Sequence, residues 1–139
     1  MSNRIILVSH FGLATGMKTA LEFIVGEQPN LYAVELDEQG IEKFKEKFSE
    51  LKKEQFEGTT IIVSDIPAGS PGATAYSVLK ENGDVRLLSG MNLPLLLELA
   101  LSGMTKPIEQ LLPESIESAK ETIQDYTIDS EDESDEEDF

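Results

Sequence analysis

The chain has 139 residues, of which 27 are acidic and 11 basic, and its formal net charge at pH 7 is −16. This length suits one domain with a substantial core and is too short for two. The charge argues against nucleic-acid binding, because an acidic chain repels phosphates, and it favours a basic protein partner.

Composition also restricts where the protein works. The absence of cysteine excludes disulfides and thiol chemistry and is typical of a cytoplasmic protein. No stretch approaches the roughly 20 apolar residues that a membrane span needs. Because Met1–Arg4 leads directly into strand-like residues, we expect no signal peptide.

The negative charge is concentrated at the C-terminus. Residues 129–139 contain eight acids and no base, which leaves a net charge of −8 on residues 1–128. A segment of this composition cannot bury enough apolar surface to fold alone. The sequence therefore predicts one folded domain over residues 1–128 and a disordered acidic tail over 129–139, serving as a solubilising extension or part of a linker.

The first half of the domain alternates strand and helix signals. Ile5–Val8 predicts a buried strand, and the next segment has an apolar stripe of helical period, made of Leu13, Met17, Leu21 and Ile24. Gly26 would end that helix. Leu31–Leu36 predicts the second strand. A second amphipathic helix follows, with an apolar face made of Ile41, Phe44, Phe48 and Leu51.

The second half continues the alternation. Thr59–Val63 and Val85–Leu88 predict the third and fourth strands, with a helix over about Pro71–Glu81 between them. A helix from Pro94 to Leu101 is so apolar that we expect it to meet another helix or another subunit. The last helix runs from about Pro107 to Lys120, and Pro113 should kink or divide it.

Continuous apolar strands that alternate with helices predict an α/β fold, with a parallel sheet covered on both faces. Right-handed crossovers leave few topologies, and we favour a flavodoxin-like three-layer sandwich with strand order 2-1-3-4. This order places strand one beside strand three, about 4.8 Å away. The carboxyl ends of these strands carry His10 and Asp65, so their side chains should meet where open α/β folds collect ligand groups.

His10 is the only histidine of the chain. Imidazole can be an uncharged nucleophile near neutral pH, and Asp65 is well placed to hold one ring nitrogen and leave the other with a free lone pair. Gly69, Ser70 and Pro71 then aim a helix N-terminus at the same strand ends, which makes an anion site. The simplest chemistry that uses all these features is a phosphoryl group carried on His10.

Other chemistries lack their motifs. The chain has no Walker sequence, no dinucleotide-binding glycine pattern and no serine elbow. The residues also require no metal ion and no other cofactor.

The sequence resembles the enzyme IIA component of the mannose family of the bacterial sugar phosphotransferase system. The resemblance covers about residues 3–128. It rests on Ser9-His10, Leu13-Ala14 to Gly16, Gly26-Glu27, Ser64-Asp65 with Gly69-Ser70-Pro71, and Gly90-Met91-Asn92-Leu93-Pro94. It implies that the histidine-containing phosphocarrier protein phosphorylates His10 on Nε2. His10 would pass the group to a histidine on the IIB domain of the same permease, so contact with the membrane would be only indirect.

The resemblance also implies roles for other residues. Asp65 would bind Nδ1–H of His10, and Gly69 and Ser70 would contact the phosphate. Members of the family are homodimers that exchange a C-terminal antiparallel strand, for which Thr122–Ile128 is the available segment.

Two residues depart from the family pattern, since Phe11 and Ala68 stand where glycine is usual. Phe11 could equally be a core residue or an apolar contact for a partner. Two other functions remain open at this point. One is the phosphotransfer subunit of dihydroxyacetone kinase, whose start is similar, and the other is a flavodoxin-like binding domain without covalent chemistry.

Overall fold

A computed structural model describes residues 3–128 of the chain. The predicted acidic tail over 129–139 lies outside the described residues. The helices and strands are β1 (Asn3–His10), α1 (Leu13–Val25), β2 (Leu31–Leu36), α2 (Ile41–Lys53), β3 (Thr59–Ser64), α3 (Ser70–Leu79), β4 (Val85–Leu88), α4 (Leu93–Ser102) and α5 (Ile108–Glu121).

The four strands form one parallel sheet in the order β2-β1-β3-β4. This confirms the predicted fold class and strand order. β1 is central and pairs with β2 on one side and β3 on the other, so Ile6, Leu7 and Val8 are completely buried. Such burial on both faces explains why this strand is a continuous apolar run.

Each face of the sheet has its own core. Ile5 and Leu7 of β1 pack with α1, α4 and α5, whereas Ile6 and Val8 pack with α2 and α3. The alternation follows from the two-residue period of a strand. On α2, the rings of Phe44 and Phe48 are in contact at a tilt of 56°, with their centroids 5.0 Å apart.

Two predictions about helices are corrected. The apolar stripe predicted for α1 is wrong at both ends, because Leu13 and Ile24 are exposed while Ala14 and Leu21 are buried. The last helix continues through Pro113 as one element, so the alternative that this proline divides the helix is wrong, whereas a kink there stays a prediction.

The apolar helix α4 finds its partners within the chain. It packs against α1 and α5 and buries Leu95, Leu96 and Leu99, while Leu101 remains exposed. Contact with another helix therefore explains most of its apolar composition. Among residues 3–128, no helix combines the length and the apolar character that a membrane crossing requires.

Candidate functional site at the carboxyl ends of β1 and β3

The structure brings His10 and Asp65 together. His10 is the last residue of β1 and Asp65 directly follows β3, which is the neighbouring strand. Nδ1 of His10 lies 2.9 Å from Oδ2 of Asp65, and the same oxygen accepts the backbone N–H of His10 at 2.9 Å. One carboxylate oxygen thus fixes both the main chain and the ring of His10.

Asp65 is held as a carboxylate. Burial by itself raises the pKa of Asp65, but hydrogen bonds from the His10 backbone, the His10 ring and the Ile66 N–H outweigh burial and hold this pKa below its ordinary value. An ionised carboxylate can only accept. Nδ1 therefore donates to Asp65, so the neutral form of the ring has its lone pair on Nε2, on a side chain that is 46% exposed.

Gly69 brings the main chain close to the free side of the ring. Its φ is +135°, and a Cβ at this position would lie 3.2 Å from Cε1 and 3.6 Å from Nε2 of His10. Any larger residue would be strained and would also occupy space beside the nucleophilic nitrogen. Ser70 is the first residue of α3, and its side chain lies outside the described parts of the structure.

Helix α3 is held against β3 by a close contact that the sequence analysis missed. A Cβ on Gly72 would come within 2.9 Å of Cβ and 3.0 Å of Oγ of Ser64. The Ser64 hydroxyl lies within hydrogen-bond distance of the Ile66 and Leu88 carbonyl oxygens, at 3.0 and 3.3 Å. The only signal in the sequence is a glycine in the first turn of a helix.

Helices α1 and α3 begin next to the site residues, and the hydrogen bonding of their N-termini differs. At α1, the Ser9 hydroxyl accepts the Ala14 N–H at 2.8 Å, and Glu35 accepts the Thr15 N–H at 3.3 Å. At α3, Gly69 precedes the helix and offers no side-chain cap. The first turn of α3 is therefore the better site for an anion. Sequence periodicity gave no indication of Glu35, which is a polar residue within a strand.

The structure decides between the two interpretations of Phe11. Its side chain is 59% exposed, so it is a surface residue and the core alternative is wrong. Its φ of +52° is in the left-handed region, which is rare for a bulky residue. Ala68, the second departure from the glycine pattern, is also exposed.

The described residues offer no metal centre at this edge. Among residues 3–128, no group of three or more histidine, cysteine, aspartate or glutamate side chains could hold a metal ion. The site therefore consists of an imidazole, its carboxylate partner and a helix N-terminus.

The chain is similar in sequence to known proteins. The PTS system sorbose-specific EIIA component of Lacticaseibacillus casei is 33% identical over 110 residues, covering 78% of this chain and 79% of that protein. The PTS system fructose-specific EIIA component of Bacillus subtilis (strain 168) is 28% identical over 129 residues, covering 86% and 88%. PTS denotes the phosphotransferase system.

The fold is shared with a solved structure, the mannose/sorbose specific IIA subunit of the phosphotransferase system from Enterococcus faecalis. It matches with a TM-score of 0.81 at 22% identity and covers 94% of this chain and 98% of that one. The family model described as PTS system fructose IIA component matches residues 4–133. The chain therefore belongs to this family of IIA components, the phosphotransfer proteins of sugar uptake.

Proposed function

We propose that the protein is a phosphohistidine carrier that works in the cytoplasm. His10 accepts a phosphoryl group from the histidine-containing phosphocarrier protein and passes it to a IIB domain of the same permease. The observation that carries this proposal is the 2.9 Å contact between His10 Nδ1 and Asp65 Oδ2, which leaves Nε2 as the free nucleophile beside Gly69.

The chemistry is a displacement at phosphorus. The Nε2 lone pair of His10 forms the new nitrogen–phosphorus bond while the corresponding bond to the donor imidazole breaks. Nδ1 keeps its proton, and the Asp65 carboxylate stabilises the positive charge that develops on the ring. Such a transfer needs mainly positioning and charge stabilisation, and the uncapped N-terminus of α3 supplies positive potential for the phosphoryl oxygens.

The proposal includes a homodimer with exchange of the C-terminal segment. β4 is an edge of the sheet, and its Leu87 is 41% exposed. Residues 123–128 belong to no helix or strand of the isolated chain, and the apolar side chain of Ile123 among them is 79% exposed. A strand contributed by a second subunit would cover the edge of β4 and bury these apolar groups.

Phosphorylation with purified components tests the carrier function. The protein is incubated with phosphoenolpyruvate, the first kinase of the system and the phosphocarrier protein. We expect one phosphoryl group per chain, lost in acid and retained in alkali, and none on His10→Ala. His10 is half-exposed, so this variant should keep its melting temperature. A stable phosphate on His10→Ala would contradict the proposal.

A further inference from the structure

Three exposed apolar residues adjoin the site residues in the chain. Phe11 directly follows His10, Leu13 begins α1, and Ile66 directly follows Asp65. Their side chains are 59%, 45% and 52% exposed, respectively. We call these three residues the apolar rim.

Phe11 combines a strained backbone conformation with a largely exposed side chain. At φ +52° its Cβ is crowded against its own main chain, a strain that persists only when surrounding contacts impose it. The contacts are present, because the Phe11 N–H donates to the Leu36 carbonyl at 2.8 Å and its carbonyl accepts the Ser9 hydroxyl at 2.8 Å. The main chain is thus fixed, and the strained position still holds an exposed phenyl ring.

We propose that Phe11 is a specificity-determining contact residue, which packs its phenyl ring against the protein that donates the phosphoryl group to His10. This inference rests on the proposed carrier function. Any donor that brings an imidazole to Nε2 must cover the apolar rim, and covering it removes the exposed ring from water. The charge of −8 on residues 1–128 makes the matching surface an apolar patch with basic residues around it.

His10 receives a phosphoryl group in one reaction and passes it on in the next. A comparison of the two favours the donor, and not the acceptor, as the protein that Phe11 contacts. Phosphorylation adds a charge of nearly −2 beside the apolar rim. An apolar contact over that group would require removal of water from the anion, which is costly. The donor meets the apolar rim before His10 carries this charge, whereas the acceptor meets the rim with the charged group already on His10.

Single-turnover phosphorylation at several donor concentrations tests the role of Phe11. For Phe11→Ala we expect the half-saturating donor concentration to rise about tenfold, with the limiting rate constant within about twofold of wild type. Phe11→Leu should largely restore binding because it restores apolar area. Phe23→Ala is the matched control, since Phe23 is 90% exposed at the far end of α1 and its loss should change neither constant.

A second variant separates binding from stability. Phe11→Gly relieves the left-handed conformation, so its melting temperature should equal or exceed that of wild type while donor binding weakens as in Phe11→Ala. A lower melting temperature would overturn the proposal and make Phe11 a structural residue. If Phe11→Ala lowered only the limiting rate constant, the proposal would also be overturned, because that result would mean that Phe11 positions His10 and does not bind the donor.

The remaining outcomes are also decisive. An equal loss in transfer to the IIB domain would contradict the assignment to the donor. Wild-type constants in Phe11→Ala would refute this inference and leave the carrier function intact. Failure of the wild-type protein to accept phosphate would instead refute the carrier function itself.

Discussion

At the scale of single residues, the site depends on how many hydrogen bonds Asp65 accepts. Its Oδ2 accepts from the His10 backbone and ring, and its Oδ1 accepts the Ile66 N–H at 3.0 Å. An asparagine has one acceptor oxygen and one NH₂ group. In either orientation of the amide, its NH₂ group would face the backbone N–H of His10 or of Ile66. That N–H would lose the acceptor that it has in the wild-type protein.

Replacement of Asp65 by asparagine should therefore slow phosphoryl transfer. Groups that orient and support a reacting imidazole are typically worth about 10²–10⁴ in rate, so we expect Asp65→Asn to be slower by roughly 10² or more with the fold retained. Rapid-quench phosphorylation beside wild type measures this. The control is Asp84→Asn, because Asp84 also accepts hydrogen bonds, from Thr59 and Arg86, but lies at the amino end of β4.

The pH dependence of stability gives an independent check on the same residue. The pKa of Asp65 is lower in the folded protein, so its contribution is complete above the unfolded value of 3.8 and is lost as the pH falls through the folded value. The difference in unfolding free energy between wild type and Asp65→Asn should therefore shrink as the pH falls below 3.8. A transfer rate within about threefold of wild type would make Asp65 a structural residue.

At the scale of elements, Gly72 determines how closely α3 approaches β3. An alanine there would place its Cβ 2.9 Å from Cβ of Ser64, which is backed by a buried strand and cannot move away. Overpacking of this kind typically costs about 1–3 kcal/mol. The helix should shift outward and carry its N-terminus away from His10, so Gly72→Ala should lose both unfolding free energy and transfer rate.

Gly16 is the matched control for this substitution. It also lies in a helix, but a Cβ there would have no atom within 4 Å. Gly16→Ala should therefore raise the unfolding free energy by about 0.5–1 kcal/mol and leave the transfer rate unchanged. Urea unfolding and phosphorylation of both variants provide the comparison. A destabilised Gly72→Ala with a wild-type transfer rate would separate helix packing from function.

Helix α1 shows where prediction from sequence patterns fails. This helix has apolar residues on several of its sides, so hydrophobic period alone could not tell whether the buried face contains Leu13 or Ala14. The structure chooses Ala14, whose N–H is accepted by the buried hydroxyl of Ser9. By contrast, α2 has lysine and glutamate on its outer face, and its predicted buried face is confirmed by Phe44 and Phe48.

The same limit applies within the site. The proximity of His10 and Asp65 could be predicted because parallel strands end at one edge and the strand order follows from few topological rules. Neither the left-handed conformation of Phe11 nor the contact of Gly72 with Ser64 could be predicted, since hydrophobic period reports which face is buried and not the local φ or the distance between layers. Both features depend on how the elements pack in three dimensions.

At the scale of the whole molecule, the sheet and its helices bury most of their apolar surface within one chain. The exceptions include the apolar rim, Phe23, and residues at the edge of the sheet and beyond the last two helices. Leu87 of β4 and Ile123 beyond α5 are exposed, and so is Met104 after α4, at 75%. An apolar residue exposed on its own is ordinary, but an edge strand together with a segment lacking secondary structure is what the proposed strand addition would need.

Truncations test this aspect of the proposed function. Removal of everything after Lys120 deletes the segment proposed to pair with β4. The protein should then be monomeric, or its dimer should dissociate at a much higher protein concentration than the wild-type dimer. Removal of only residues 130–139 deletes most of the acidic tail and should leave the dimer unchanged. Light scattering at micromolar concentration measures both, and the full chain should give twice its mass of 15.3 kDa.

The two truncations also separate the effect of charge on association from the effect of strand pairing. Residues 130–139 carry seven acids and no base, so their removal relieves repulsion between subunits and any change should favour association. Loss of the dimer in the longer truncation alone therefore assigns association to residues 121–129 and not to charge. A full chain that is monomeric would contradict the proposed dimer. A dimer that survives removal of everything after Lys120 would contradict strand exchange and direct attention to the exposed Leu101 and Met104 as the contact surface.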